Sequence, residues 1–139
     1  MIFPRILKAS DALYNWHVLE PLINEAIEKT DTDEEPLDYQ QLVKEEKISV
    51  ILWEHGTKWA VMLAGVDTHN GENWLHVYVL SGPLPEGWVP VMDAYLTEVA
   101  KDHHMDYVTL RGRKGWIRKL KDYGYRLEDR GNIIKEVKR

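Results

Sequence analysis

From Trp74 to Val137 the chain switches period four times. Trp74-Leu-His-Val-Tyr-Val-Leu80 has strand character and Pro90 to His104 helical character. Tyr107-Val-Thr-Leu-Arg111 is again a strand, Lys114 to Tyr123 a second helix, and Gly124 to Val137 a closing pair of strands around Asp129-Arg-Gly-Asn132. Strand, helix, strand, helix and hairpin in that order make an α/β domain, in which helices must cover the sheet that the strands build.

Upstream, Ser10 followed by Asp11 is a plausible N-cap for a helix running to about Lys29, with Ala12, Trp16, Leu19, Ile23 and Ala26 spaced to form one apolar face. Pro21 is expected to kink or divide it. Thr30-Asp-Thr-Asp-Glu-Glu-Pro36 reads as an acidic, solvated connector, or as a docking surface for a basic partner, and Leu37 to Glu46 as a short helix. From Ile48 the period becomes that of strands. Ile48 to Glu54, a turn at His55-Gly-Thr57 and Lys58 to Val66 form a hairpin, and the turn Thr68-His-Asn-Gly-Glu-Asn73 leads into the strand from Trp74. Met1 to Leu7 is a weak first strand because it is short and carries Pro4.

The 139 residues suit one domain over 1–139, long enough to bury a core without staples. The chain has no cysteine, which excludes disulfides, thiolate metal sites and a Cys nucleophile. No apolar run approaches the roughly 18 residues of a membrane span, and the N-terminus is too interrupted for a signal peptide, so a soluble protein is expected. The net charge of −5 argues against general nucleic-acid binding. The charge is also divided: residues 1–70 hold 6 basic and 13 acidic residues, residues 71–139 hold 12 and 10. Six Trp and seven Tyr stand against one Phe, a choice that suits half-wet positions at cleft walls and interfaces.

Arg111-Gly-Arg-Lys-Gly-Trp-Ile-Arg-Lys-Leu-Lys-Asp-Tyr-Gly-Tyr125, followed by a hairpin ending Ile-Ile-Lys-Glu-Val137, resembles the C-terminal end of small GNAT-like proteins of tailed bacteriophages. The order of elements over nearly the whole chain is similar to that of GNAT (Gcn5-related N-acetyltransferase) proteins. The resemblance implies a mixed, largely antiparallel α/β sheet with helices on both faces, in which Trp74–Leu80 and Tyr107–Arg111 are the central, roughly parallel pair. It also implies acetyl-CoA as donor, held by a Gln/Arg-x-x-Gly-x-Gly/Ala loop at a helix start, where backbone N–H groups and the helix dipole meet the pyrophosphate. Here the matching segment is Ser81-Gly-Pro-Leu-Pro-Glu-Gly-Trp-Val-Pro90, with three prolines that lack an N–H and with Glu86 where a phosphate would sit. Leu80, Gly82, Gly87 and Trp88 are the positions that would border the donor. In the next helix, the family's Asn-x-x-Ala-x-x-x-Tyr falls on Arg113, Trp116 and Leu120, so the tyrosine acid is replaced by leucine and the small residue by an indole.

Other candidates come from the residues alone. His76 and Tyr78 alternate with Leu75, Val77 and Val79 and share one strand face, where they could assist deprotonation of an amine or simply form a polar, aromatic face. Tyr123 is a displaced acid or a packing residue. His103-His104 ends a helix and makes no metal site. Arg111, Arg113, Lys114, Arg118, Lys119 and Lys121 form a basic cluster, and Arg113, Lys114, Arg118 and Lys121 are its candidate interaction surface for a protein partner or a second copy. Two functions compete. One is a catalytically silent protein, phage-encoded, needing no cofactor and serving interaction or virion assembly in the bacterial host cytoplasm or the virion. The other is an N-acyltransferase using acetyl-CoA through an atypical loop, with His76, Tyr78 or Tyr123 as its catalytic groups.

Overall fold

The structure, a computed structural model, describes residues 2–137, with Lys114 described in its backbone only. The first strand, β1 (Phe3–Leu7), leads into α1 (Ala9–Tyr14), α2 (Trp16–Lys29) and α3 (Tyr39–Lys44). A meander follows: β2 (Ile48–His55), β3 (Lys58–His69) and β4 (Glu72–Ser81). The chain then crosses through α4 (Trp88–Asp102) to β5 (Tyr107–Leu110), turns through α5 (Ile117–Leu120), and closes with β6 (Arg126–Leu127) and β7 (Ile133–Glu136). All strands form one seven-stranded sheet in the order β1-β2-β3-β4-β5-β7-β6. Among the described residues only β4 and β5 run parallel, as a crossover through a helix requires. The expected mixed, largely antiparallel GNAT-like sheet is the one observed.

The sheet separates two apolar layers. On one face Ala12, Trp16, Leu19, Ile23 and Ala26 pack with Tyr39 and Val43 against Val50, Leu52, Val61, Leu63 and Val79. On the other, Trp88, Val89, Met92, Leu96 and Ala100 cover Trp53, Met62, Val77, Leu80, Val108, Leu110 and Ile133. The predicted apolar face of the first helical segment is therefore correct, but two local expectations fail. The helix begins at Ala9 with Lys8 as its cap residue, not Ser10, and it divides at Asn15 rather than at Pro21. Asn15 leaves helical geometry while its side chain donates to Asp11 O at 2.9 Å. The break restarts the helix only five residues before Pro21, where the ring forfeits one hydrogen bond without ending the segment. Asp38 caps α3 by accepting from the Gln41 N–H at 3.1 Å.

The predicted helix Lys114–Tyr123 is a compound element. Only Ile117–Leu120 is α-helical, flanked by 3₁₀ turns at Lys114–Trp116 and Lys121–Tyr123. Gly115 and Gly124 bound too few residues for a stable α-helix.

Candidate functional site

β4 pairs regularly with β3 from His69–Glu72 to Ala64–Val77, and the next pair is Leu63–Val79. Tyr78 is thus an extra residue, a bulge that puts Tyr78 and Val79 on the same face. On the other side of β4 the parallel pairing with β5 ends at Val77–Leu110, followed by one bond from the Arg111 N–H to Val77 O. β4 runs on through Ser81 while β5 stops, so the two parallel strands part where the bulge lies.

Below the bulge the same face of β4 carries Trp74 and His76. His76 is fully buried, with Nδ1 hydrogen-bonded to Thr109 Oγ1 and Nε2 accepting from Arg111 Nε at 3.1 Å. Because an arginine can only donate, Nε2 is bare and Nδ1 holds the proton. Burial, reinforced by the positive charges of Arg111 and Arg130, pushes the imidazole down to about 3. A neutral, closed-off ring with both nitrogens engaged cannot deprotonate a substrate, so the proposed catalytic role of His76 is corrected to a structural one.

Arg111, itself buried, ties this face to the segment between α2 and α3. Its Nη2 donates to Glu34 Oε2 at 2.8 Å and Nη1 to Glu35 O at 3.0 Å, and its guanidinium lies 5.1 Å from the Tyr78 ring centre. Glu34 also accepts from Asn132 Nδ2, and Arg130 Nη1 lies 3.5 Å from its Oε1. Thr32 Oγ1 donates to Asn132 Oδ1 at 2.9 Å. The backbone joins in, with the Asp31 N–H bonded to Gly112 O and the Asp33 N–H to Arg130 O. Gly131, at φ +86°, is needed for this approach, because a Cβ there would stand 2.6 Å from Asp31 O. The acidic connector is therefore a strap laid over the sheet. Its charge is plain in the sequence, but its partners, 76 to 100 positions away, leave no local signal.

Between strap and sheet lies a cavity of about 240 Å³ whose lining includes Thr32, Asp33, Glu34, Glu35, Tyr39, Tyr78 and Arg111. The Tyr39 and Tyr78 rings meet at 6.0 Å and 55°. Burial raises the Tyr78 phenol to about 12, so at neutral pH it is a hydrogen-bond donor and no base. Tyr39 was not singled out in the sequence; its place at the start of α3 carried no signal beyond helix periodicity.

On the far side of the parted strands, the loop after β4 closes on the β2–β3 hairpin. His55 Nε2 is 3.0 Å from Pro83 O, and a Cβ at Gly82 (φ +119°) would meet Ala60 Cα at 2.9 Å. Gly87 is left-handed and starts α4, whose first N–H, that of Trp88, is turned back onto Pro85 O at 3.2 Å. Pro90 removes another donor from this first turn. Leu80 and Trp88 are buried in the core. Of the four positions expected to border a donor, then, Leu80, Gly82 and Trp88 serve packing and Gly87 serves the turn. This helix start is a poor pyrophosphate cradle, since consecutive free N–H groups are what such an anion needs.

No family model and no curated protein sequence matches the chain. Solved structures do. One chain of the NatC complex bound to Gag peptide and CoA superposes with a TM-score of 0.59 at 12% identity, covering 99% of both chains. FeeM, an N-acyl amino acid synthase from uncultured soil microbes, gives 0.62 at 12% identity over 99% of this chain and 90% of that one. A chain of the AtaT–AtaR complex bound to DNA gives 0.58 at 10% identity over 97% and 94%. The fold is the GNAT fold. At these identities the likeness extends to the fold alone.

Against GNAT proteins, Leu120 is a buried core residue where the resemblance implies a tyrosine acid. Trp116 is partly buried and packs against the core: its indole covers Gly112, meets Trp88 edge-on at 5.9 Å, and carries Arg113 5.9 Å from its ring centre. Tyr123 is exposed on the 3₁₀ turn before Gly124 and does not line the cavity, so it is displaced from any role as acid there. Arg113, Arg118 and Lys121 are exposed, and the Lys114 side chain lies outside the described residues. No helix among the described residues is long and apolar enough to cross a membrane.

Proposed function

We propose that the protein is an N-acyltransferase that moves an acyl group from a CoA-type thioester to an amine held in the cavity over Tyr78. The observation that carries this reading is the coincidence of three features: β4 and β5 part after Val77, β4 bulges at Tyr78, and the cavity opens on that bulge. The comparisons support it over a silent role, because NatC was bound to CoA and FeeM is an N-acyl amino acid synthase. In such a transfer the lone pair of the neutral amine forms the C–N bond at the thioester carbonyl, the C–S bond breaks, and the amine's surplus proton passes to solvent while the departing thiolate takes one proton from solvent. This chain's own contribution is positional: Tyr39 and Tyr78 wall the acceptor, the protonated Tyr78 hydroxyl donates, and the sheet face excludes water. The donor's phosphates fall to exposed Arg113 and Arg118 rather than to the start of α4.

The state of that helix start favours a second reading, a GNAT-fold protein without acyl transfer that acts as a binding component, virion assembly included. Calorimetric titration with acetyl-CoA separates the two. Saturation at or below about 100 μM, roughly −5.5 kcal/mol, with thiol release when amines are added, is the expected result. No binding up to about 1 mM, roughly −4.1 kcal/mol, would leave only the second reading.

A further inference from the structure

The geometry points to a small amine carrying a second positive charge, a short alkyl diamine, as the ligand of the cavity over Tyr78; this rests on the acyltransferase reading of the same site. Size comes first. At about 240 Å³ the cavity lies below the roughly 300–1,000 Å³ of pockets for drug-sized ligands, so it suits a few methylenes and not a folded partner. Its walls suit methylenes too, with Ile27 and Pro36 beside the paired rings of Tyr39 and Tyr78.

Charge decides the class. The residues that line it include three acidic ones, Asp33, Glu34 and Glu35, against one basic one, Arg111, with Arg130 Nη1 outside the lining at 3.5 Å from Glu34 Oε1. Arg111 and Glu34 neutralise each other at 2.8 Å. The carboxylates left over, Asp33 and Glu35, are exposed and make no side-chain hydrogen bond or ion pair among the described residues. Arg111 does not invite an anionic acceptor, because its Nε, Nη1 and Nη2 already donate to His76, Glu35 O and Glu34. The reacting nitrogen must be uncharged to attack, so the spare carboxylates have no use for it. They match a second ammonium a few carbons away.

The test is calorimetric titration of the full chain with 1,4-diaminobutane, butylamine and 4-aminobutyrate, repeated on Asp33→Asn/Glu35→Gln. Both substitutions leave the strap's backbone bonds in place, and Glu35→Gln alone serves if the pair proves unstable. The diamine should bind about tenfold more tightly than butylamine, a difference of roughly 1.4 kcal/mol, with 4-aminobutyrate weakest. The substituted protein should lose most of that preference for the diamine over butylamine. Equal affinities, a preference for 4-aminobutyrate, or no diamine binding at about 10 mM would overturn the inference. Diamine binding without acyl transfer would overturn the activity and leave the ligand class standing. Acyl transfer to all three amines without preference would do the reverse.

Discussion

His76 and Arg111 take their behaviour from burial. In an unfolded chain His76 would titrate at its ordinary value near 6.5, but in the fold it is held down to about 3. Between those values the unfolded state binds the extra proton, so stability falls as pH drops below about 6.5, with a limiting slope of about 1.4 kcal/mol per pH unit. Urea unfolding at pH 7, 6 and 5 should show this loss, and His76→Asn should flatten it; an equal slope in both proteins would mean that other groups govern acid sensitivity. Arg111→Met should cost about 3 kcal/mol in the same assay, because it removes the nearer of Glu34's two arginine partners, leaving Arg130 and Asn132, and strands the bare Nε2 of His76. Both residues were visible in the sequence, yet misread. Alternation put His76 on the right face, but it could not say that Arg111 and Thr109 would occupy both its nitrogens.

Among elements, legibility followed the range of the interactions that fix each one. β2, β3, α4 and β5 were readable within two or three residues, since each is set by its own periodicity and local turns. The helical break was placed at Pro21 instead of Asn15, because the proline penalty was visible while the restart of the helix at Trp16, whose ring packs in the core, was not. The bulge in β4 had no local signal: it is defined only by register against β3. Trp116 illustrates the same limit. Counting back from Gly124 located it, but its partly exposed, edge-on packing against Trp88 depends on where α4 begins. Trp116→Ala should therefore cost about 2 kcal/mol by thermal or urea unfolding, less than the roughly 3–5 kcal/mol of a fully buried aromatic. A cost in the upper range would mean that the indole carries a share of the core its exposure does not suggest.

For the whole molecule, the strap gives a division of labour in time. Glu34 joins residues 77 and 98 positions away, and Thr32 joins Asn132 across 100. Contacts at such separations come late, after the meander and the α4 crossover have paid the loop entropy. Glu34→Gln should consequently speed unfolding and leave the refolding rate nearly unchanged in stopped-flow measurements, as expected of a group absent from the transition state. Slowed refolding would place the strap in the nucleus instead. The cavity over Tyr78 should then be the last part of the protein to come into being and the first to be lost, and amide exchange should find residues 31–36 and 128–132 opening together, as one latch, while the sheet beneath stays shut.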